Sequence, residues 1–593
     1  MKSIVSVCPF CGCGCKLKYI IDNQKKIIKT EGDKKDEISE GKPCIKGLSF
    51  VDAIYKDRLT KPAIRENIDE DFEEVSWEEA YDFIYENLKG IEPSKIYFTG
   101  SGEFTNESNY LIQKLARVVF RTNNIDCCAR LCHAPTVYAF KSCFGTSGTP
   151  NFMKDVIDSD LIIAIGTNPL SNYPVFFNMI KKGIDKGTKL ITIGVKNVTA
   201  NFSYLHISPE LGTLIILISG FIHEIINDKE IEKKKGNLPG FKELKNSVSK
   251  ITPSVVSDIC KINLEDFNKV VELMKKSKRI VFTHGMGLTQ YQNGTQNALS
   301  ITNLAILLDA KIVCMRGKVN VQGASDMGCC PDFLPFGGSE ELTKKNWGVV
   351  LEKKEGIKIT EALEKIKAFY IMGMNPAQSL PDLNKIHKIL RKRFVIYQHH
   401  SPSISMKFAN VVLPAPMLIE EEGTITNGER RVRYVRKVKD PPGGKQNWEI
   451  ICDVAKKFGF EKQFNYKSVE EIFNEITKAI PDYANLNYKK IMKRDYFANK
   501  NIEYTRLIPI TPIACPIERN SKYPFLLTTS RWMHHFCTGE ITTKSKLAEF
   551  AKTPVAHINE KDAAALGIKD GDLIEISSKA GSIKITAKTD PYV

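Results

Sequence analysis

Cys8-Pro9-Phe10-Cys11-Gly12-Cys13-Gly14-Cys15, completed further on by Cys44, is the stretch whose reading decides this chain. Three of its cysteines are spaced C-x2-C-x3-C. Thiolates this close together suit a soft metal site, and Cys8, Cys11, Cys15 and Cys44 meet the four-thiolate requirement of a [4Fe–4S] cluster. Gly12 and Gly14 let the backbone turn tightly enough for neighbouring sulfurs to reach different irons. Cys13, inside the loop, reads as a packed thiol rather than a ligand. A structural zinc site usually shows two C-x2-C pairs, and only one is present. A disulfide framework does not suit a large chain without a secretory signal. Lys46, two residues past Cys44, reads either as a solvated lysine or as a cation between the cluster and its electron-exchange partner.

The 593 residues imply several domains, and a 42% hydrophobic share is ample for their cores. The net charge of +16 reads as a lysine-rich solvated surface rather than a nucleic-acid face. Neither an aromatic-interleaved basic run nor a helix-turn-helix signature accompanies it. A basic interior around phosphates or a small anion is compatible with the charge. Met1-Lys2-Ser3 runs almost directly into the cysteine motif with no targeting segment, and the longest apolar run, Leu214 to Ile222, is too short to span a bilayer. The chain therefore reads as cytoplasmic.

Beyond the boundary Asp57 to Pro62, strands, glycine turns and helices alternate. Trp77 to Leu88 and Tyr110 to Val119 have the periodicity of amphipathic helices. Apolar strands are expected at Lys95–Thr99, Leu161–Ile165, Lys189–Ile193, Arg279–Thr283, Phe369–Met372 and Val395–Gln398. They end at Gly100, Gly166, Gly194, His284-Gly285, Gly373 and His399-His400. This pattern predicts parallel α/β sheets with ligands at the carboxyl ends of the strands. No turn is G-x-G-x-x-G, so a simple nicotinamide-dinucleotide fold is not supported. From Tyr523 onward, short β-rich runs at Leu573–Ser577 and Ser582–Ala587 suggest a barrel.

Taken in order, further motifs join the cysteine loop. They are Asn123-Asn124-Ile125-Asp126 leading into Cys132-His133, Gly285-Met286-Gly287-Leu288-Thr289-Gln290, Arg316-Gly317-Lys318-Val319-Asn320-Val321-Gln322-Gly323, Val411-Val412-Leu413-Pro414, Glu422-Gly423-Thr424, and Asn427-Gly428-Glu429-Arg430-Arg431. With Ile558-Asn559 and Asp562-Ala563 they cover nearly the whole chain. Together they resemble the molybdopterin-dependent oxidoreductases, and within them the catalytic alpha subunits of formate dehydrogenases.

The resemblance implies a multidomain α/β fold with two parallel-sheet domains, an N-terminal Fe–S domain and a C-terminal β-barrel. Carried onto this numbering, the cluster domain spans 1–60 with 426–512 returning to it. One dinucleotide-binding α/β domain spans 61–127 and 318–425, the second spans 128–317, and the barrel spans 513–593. The chain stops at Val593, where relatives continue, so the barrel is expected to be incomplete. The implied cofactors are the [4Fe–4S] cluster and a bis-molybdopterin guanine dinucleotide holding molybdenum or tungsten. Gly166, Asn168, Gly285, Gly287, Gln290, Gly373, Asn375, Asn427 and Arg531 are implied to bind the dinucleotides.

Read alone, Cys132-His133 is a buried thiol beside a satisfied imidazole. In the resemblance, Cys132 occupies the position that ligates the metal, and His133 follows where nitrate reductases commonly have methionine. Arg316 matches the arginine that orients the substrate, and a guanidinium suits a carboxylate such as formate. An arginine on a cofactor phosphate is the alternative. Cys127, Cys128 and Cys143 match no role and read as packing. Lys318 stands where glutamine is frequent and adds a charge. Gly194-Val195-Lys196 and Glu210-Leu211-Gly212-Thr213 depart from motifs that help hold a guanine dinucleotide. The implied reaction is oxidation of formate to carbon dioxide, with electrons passing Lys46 and the cluster to a beta subunit. That subunit would be an Fe–S flavoprotein reducing a deazaflavin or nicotinamide. Nitrate reductase, formylmethanofuran-type dehydrogenase and a non-catalytic electron relay are the competing readings.

Overall fold

The computed structural model describes residues 2–196, 199–517 and 520–593. It divides into two compact units, one built from 1–131, 316–500 and 534–548, the other from 132–315, 501–533 and 549–593.

The first unit opens with an antiparallel sheet of Lys2–Val7, Lys16–Ile21 and Ile27–Gly32. The cysteine loop joins its first two strands, closed by Cys8 N donating to Cys15 O at 2.7 Å. A seven-stranded sheet follows, in the order Glu73–Glu74, Ala63–Ile64, Val411–Pro414, Phe394–His399, Ala368–Met372, Ile96–Gly100, Ile125–Cys127. The last five are parallel, and their apolar residues are buried on both faces as covered parallel sheets require. In chain order these five run 5-4-3-1-2, so the order reverses between Ile96–Gly100 and Ala368–Met372. A ligand crevice is expected outside that point.

Helix Trp77–Leu88 forms as its pattern predicts. Ser76 caps it by accepting from Glu79 N, while Ala80, Tyr81, Ile84 and Leu88 make the buried stripe. The Tyr110–Val119 expectation needs correction. The α-helix is Asn106–Lys114, continued by a π turn over Leu115–Val119, and it is buried all round. Its polar residues are not a solvated face. Asn106 donates to Thr424 Oγ1 and Thr426 Oγ1, and the Glu107 carboxyl accepts from Thr424 N and Oγ1, stitching the helix to strand Gly423–Thr426.

The second unit has an all-parallel sheet ordered Leu205–Ile207, Lys189–Ile193, Leu161–Ile165, Ile280–His284, Lys311–Cys314. Its chain order, 3-2-1-4-5, reverses between Leu161–Ile165 and Ile280–His284. Helices Leu214–Ile226 and Gly294–Leu307 join its core. The tail adds Val555–Ile558, Gly581–Thr589 and Leu573–Ser578 as a three-stranded sheet. Among the described residues no closed barrel forms, since three strands cannot wrap into one.

Two buried carboxyls in the first unit make its stability depend on pH. Burial raises Glu107 to about 8 and Glu421 to about 7, and the proximity of Glu421 also raises Glu107. Unfolded glutamate titrates near about 4.3, so between roughly pH 4.3 and 8 the unfolded chain binds fewer protons at these groups. Stability therefore falls as pH rises through that window. Denaturant titration at about pH 5 and about pH 8 should show the fall, and Glu107→Gln should flatten it. An unchanged slope in that variant would exclude Glu107 as the source.

Candidate functional site

In the first unit, Cys8, Cys11, Cys13 and Cys15 are buried and Cys44 is half-buried, all as free thiols. They lie close enough to perturb one another. Burial, then Cys44 and Cys11, pushes the Cys8 thiol up. Burial, then Cys11 and Cys8, does the same to Cys15, and burial, then Cys11, to Cys44. A hydrogen bond from Cys13 brings Cys11 down to about 7. So many buried thiols can ionise together only beside a compensating cation, which is what an iron cluster supplies. Cys13 is not set apart, because its thiol bonds Cys11 within the same group.

Lys46 is buried in the short helix Ile45–Leu48, and its ammonium favours the thiolate forms of Cys8, Cys11 and Cys44. A Cβ at Gly47 would lie 3.4 Å from Cys8 Sγ, and one at Gly12 only 2.5 Å from Arg316 O. Thus the loop packs backbone to backbone against the Arg316 segment. Gly12 N donates to Arg316 O and Gly317 O at 3.2 Å each.

Arg316 is buried and its Nε donates to Gln322 Oε1 at 3.0 Å. The charge that Lys318 adds is met by a partner not legible locally, Glu103 Oε1 at 2.5 Å. Burial works against both charges and is the largest single influence on each, but their charged neighbours together outweigh it. Lys318 keeps its proton above the usual range and Glu103 loses its proton well below the usual range. At the sheet's reversal point Gly373 has φ 59°, and its carbonyl accepts from Ser101 Oγ at 2.7 Å. Asn375 Oδ1 accepts from Ser405 N and Oγ, and its Nδ2 donates to Gln378 and Glu540. Asn427 uses Nδ2 on Cys13 O at 3.0 Å, so its side chain supports the cysteine loop.

In the second unit, Gly166, Gly285 and Gly287 form one turn pair at that sheet's reversal point. Gly287 N donates to Gly166 O at 2.9 Å, and Gly166 has φ 55°. Asn168 caps the short helix after it by accepting from Ser171 N. Gln290 ends the neighbouring turn through its N on Met286 O, and Arg531 is half-buried in this unit.

Cys132 and His133 sit on a turn leading into helix Ala134–Phe144, both buried. Thr289 Oγ1 donates to Cys132 O at 2.6 Å. His133 Nδ1 lies 3.1 Å from Cys314 Sγ, and its ring stacks on His284 at 5.6 Å. The ligating atoms of His133, His284 and Cys314 all fall within 4.8 Å of one another. His284 and Cys314 were missed from sequence. The available signal was that each ends an apolar strand beside a glycine turn or Arg316.

These residues fit the cofactors that the chain's motifs imply. The thiol group suits a cluster. Beside Gly166, the buried Thr167 Oγ1 and Asn172 Oδ1 have no hydrogen-bond partner among the described residues, which suits a polar ligand in the crevice.

Comparison with known proteins defines the class. Residues 1–56 match the molybdopterin oxidoreductase Fe4S4 domain, 58–457 the molybdopterin oxidoreductase family and 525–593 a molydopterin dinucleotide binding domain. The chain belongs to the molybdopterin oxidoreductase family and is an oxidoreductase. Its cofactors are a [4Fe–4S] cluster and molybdopterin guanine dinucleotide with molybdenum or tungsten. It is 36% identical to the F420-dependent formate dehydrogenase subunit alpha of Methanocaldococcus jannaschii, over 99% of this chain and 92% of that one. It is 30% identical to the assimilatory nitrate reductase catalytic subunit of Bacillus subtilis, over 100% and 91%. The acetylene hydratase of Pelobacter acetylenicus shares the fold, with TM-score 0.82, 18% identity and coverage of 99% and 91%. No described helix is long and apolar enough to cross a membrane.

The close approach of Gly287 to Gly166 gives a direct test. A Cβ at Gly287 would lie 2.7 Å from Gly166 O, whereas one at Gly194 meets nothing within 4 Å. Gly287→Ala should destabilise the protein by about 1–3 kcal/mol and release guanine nucleotide, while Gly194→Ala should do neither. Thermal denaturation and nucleotide analysis of the two purified variants check this.

Proposed function

We propose that the chain oxidises formate to carbon dioxide and passes the electrons through its [4Fe–4S] cluster to a partner subunit. The observation that carries this reading is the buried Cys132-His133 turn, a soft ligand followed directly by an imidazole. The 36% identity to a formate dehydrogenase alpha subunit supports it. When bound, the metal centre takes up the two reducing equivalents of formate.

Cys132 supplies a thiolate, a soft donor matched to such a metal. His133 accepts the proton, and Cys314 and Thr136 hold its ring through Nδ1. Arg316 binds the carboxylate through its guanidinium, whose orientation is set by Gln322. Cys8, Cys11, Cys15 and Cys44 ligate the cluster. Lys46, buried next to the cysteine loop, would ease arrival of each electron. The turns of Gly166, Asn168, Gly285, Gly287, Gln290, Gly373 and Asn375, together with Arg531, would hold the dinucleotides. The acceptor we propose is a beta subunit, an Fe–S flavoprotein reducing a deazaflavin or nicotinamide. We place the pair in the cytoplasm, a compartment that keeps the chain's cysteines as thiols.

Formate-dependent dye reduction by the purified complex tests this reading. Dye oxidation by nitrate with no formate turnover would replace it with a nitrate reductase. Arg316→Lys keeps the charge but loses the fork, so formate affinity should fall by about 1–3 kcal/mol at unchanged cofactor content. Cys132→Ser should retain cluster iron yet lose most formate oxidation, because a hydroxyl is a harder, weaker ligand. His133→Gln should keep formate binding and slow turnover most where pH would leave the imidazole free to accept a proton. Steady-state kinetics against pH, with iron and molybdenum or tungsten measured on the same samples, read all three.

A further inference from the structure

At the edge of the seven-stranded sheet, the first unit brings two cysteines together. Cys127 ends the outer strand Ile125–Cys127, and Ile96–Gly100 separates it from the strand that leads to Gly373. Its thiol is fully buried in the apolar core that also holds Phe98, Tyr110 and Cys329. Cys330, half-buried, lies on the loop after helix Val321–Asp326. The two sulfurs are within 4.8 Å of each other. Asp126 is the third group near them, but its carboxylate is already engaged. Its Oδ1 accepts from Cys127 N at 3.0 Å, and its Oδ2 from Arg130 Nε at 2.8 Å and Ile359 N at 3.3 Å. What is left is a thiol pair rather than a metal-binding set. Cys329 is held elsewhere, its Sγ donating to Asn109 O at 3.2 Å.

The two thiols are not equivalent. A hydrogen bond with Cys330, then burial, pushes the Cys127 thiol well up, so Cys127 keeps its proton and donates it to Cys330. Two guanidiniums stand by Cys330. Arg117 Nη2 donates to its carbonyl at 2.8 Å, and the same fork takes the carbonyls of Gly328 and Phe333, which fixes the loop. Burial lowers Arg130, and Asp126 followed by Cys330 more than restores it. A half-exposed thiol beside positive charge, with a second thiol in reach, is the arrangement in which a cysteine ionises, reacts with an oxidant and is then closed into a disulfide.

We propose that Cys127 and Cys330 are a reversible dithiol–disulfide pair, oxidised by a low-molecular-weight disulfide. The Cys330 thiolate attacks one sulfur of the reagent, forming a mixed disulfide and releasing a thiolate that takes up the proton lost from Cys330. That bond abolishes the hydrogen bond that is the largest influence holding the Cys127 proton. Cys127 then attacks Cys330 Sγ, and the second reagent thiol leaves with the Cys127 proton. Two protein thiols become one disulfide and one reagent disulfide becomes two thiols, a transfer of two electrons. Closure to a sulfur–sulfur bond of about 2.0 Å asks for rotation mainly of Cys330, the more exposed partner. The bond ties the strand shortly before Cys132 to the loop after helix Val321–Asp326.

The test uses the full-length protein with its native cofactors, kept anaerobic and incubated with 2-hydroxyethyl disulfide. Free thiols are then alkylated and the peptides mapped by mass spectrometry without reduction. The main disulfide species should join Cys127 to Cys330, at unchanged cluster iron, and dithiothreitol should reverse it. Cys330→Ser should lower the yield of cross-link at least about 10-fold, while Cys128→Ser and Cys329→Ser should keep it. An unaltered protein without the cross-link, whether both cysteines are alkylated or Cys330 stays as the mixed disulfide, would overturn the proposal. So would a cross-link that survives Cys330→Ser, which would move the bond to Cys329 or Cys128. If Cys330→Ser does not fold, fragment masses of the cross-linked peptides from the unaltered protein still name the two sulfurs.

Discussion

The cysteine loop is held by its backbone, and much of the first unit is arranged to hold it. Gly12 N reaches the carbonyls of Arg316 and Gly317, and Gly428 N donates back to Gly12 O at 2.8 Å. Asn427 takes the Cys13 carbonyl and Arg433 the Gly14 carbonyl. Arg433 is itself fully buried between Asp36 and Asp495, at 2.5 and 2.8 Å. Removing one member of such a group leaves an uncompensated buried charge, so each of these residues depends on the others. Because the same backbone contact carries Arg316, the cysteine loop and this buried arginine are set by one interaction.

The two parallel sheets solve a common problem. Each reverses its strand order once, and at each reversal glycines replace side chains that would block the crevice. A Cβ at Gly166 would meet Gly287 C at 2.4 Å, and one at Gly373 would meet Phe104 at 2.5 Å. Both glycines also have positive φ, which other residues adopt only at a cost. Such turns cannot bind through side chains of their own. Close to these turns lie buried polar atoms with no hydrogen-bond partner among the described residues, on Thr167 and Asn172 in one unit and on Glu103, His399 and His400 in the other.

Much of this was legible beforehand. The spacing of Cys8, Cys11, Cys15 and Cys44 named a soft metal site because ligand distance along a short loop limits which atoms can share an ion. Runs such as Leu161–Ile165 and Lys189–Ile193 read as buried parallel strands to the residue, because an apolar five-residue run bounded by glycine has few other uses. Tyr110–Val119 reads as amphipathic by its period yet is buried nearly all round, for the complementary reason. Its polar residues find distant partners, Lys114 on Glu475 and Arg117 on the carbonyls of Gly328 and Cys330, which periodicity within the helix cannot reveal.

The sequence by itself determined the local chemistry: thiol spacing, strand runs, glycine turns, and the adjacency of Cys132 and His133. Tertiary structure alone decided which distant groups meet. Lys318 finds Glu103, His133 finds His284 and Cys314, and Asn375 finds Glu540. Periodicity and motif spacing act over a turn or two of chain. Parallel strands, by contrast, are joined by long crossovers, so neighbours at their carboxyl ends are separated by scores to hundreds of residues. Only the strand order, set by packing of the whole sheet, specifies those pairs.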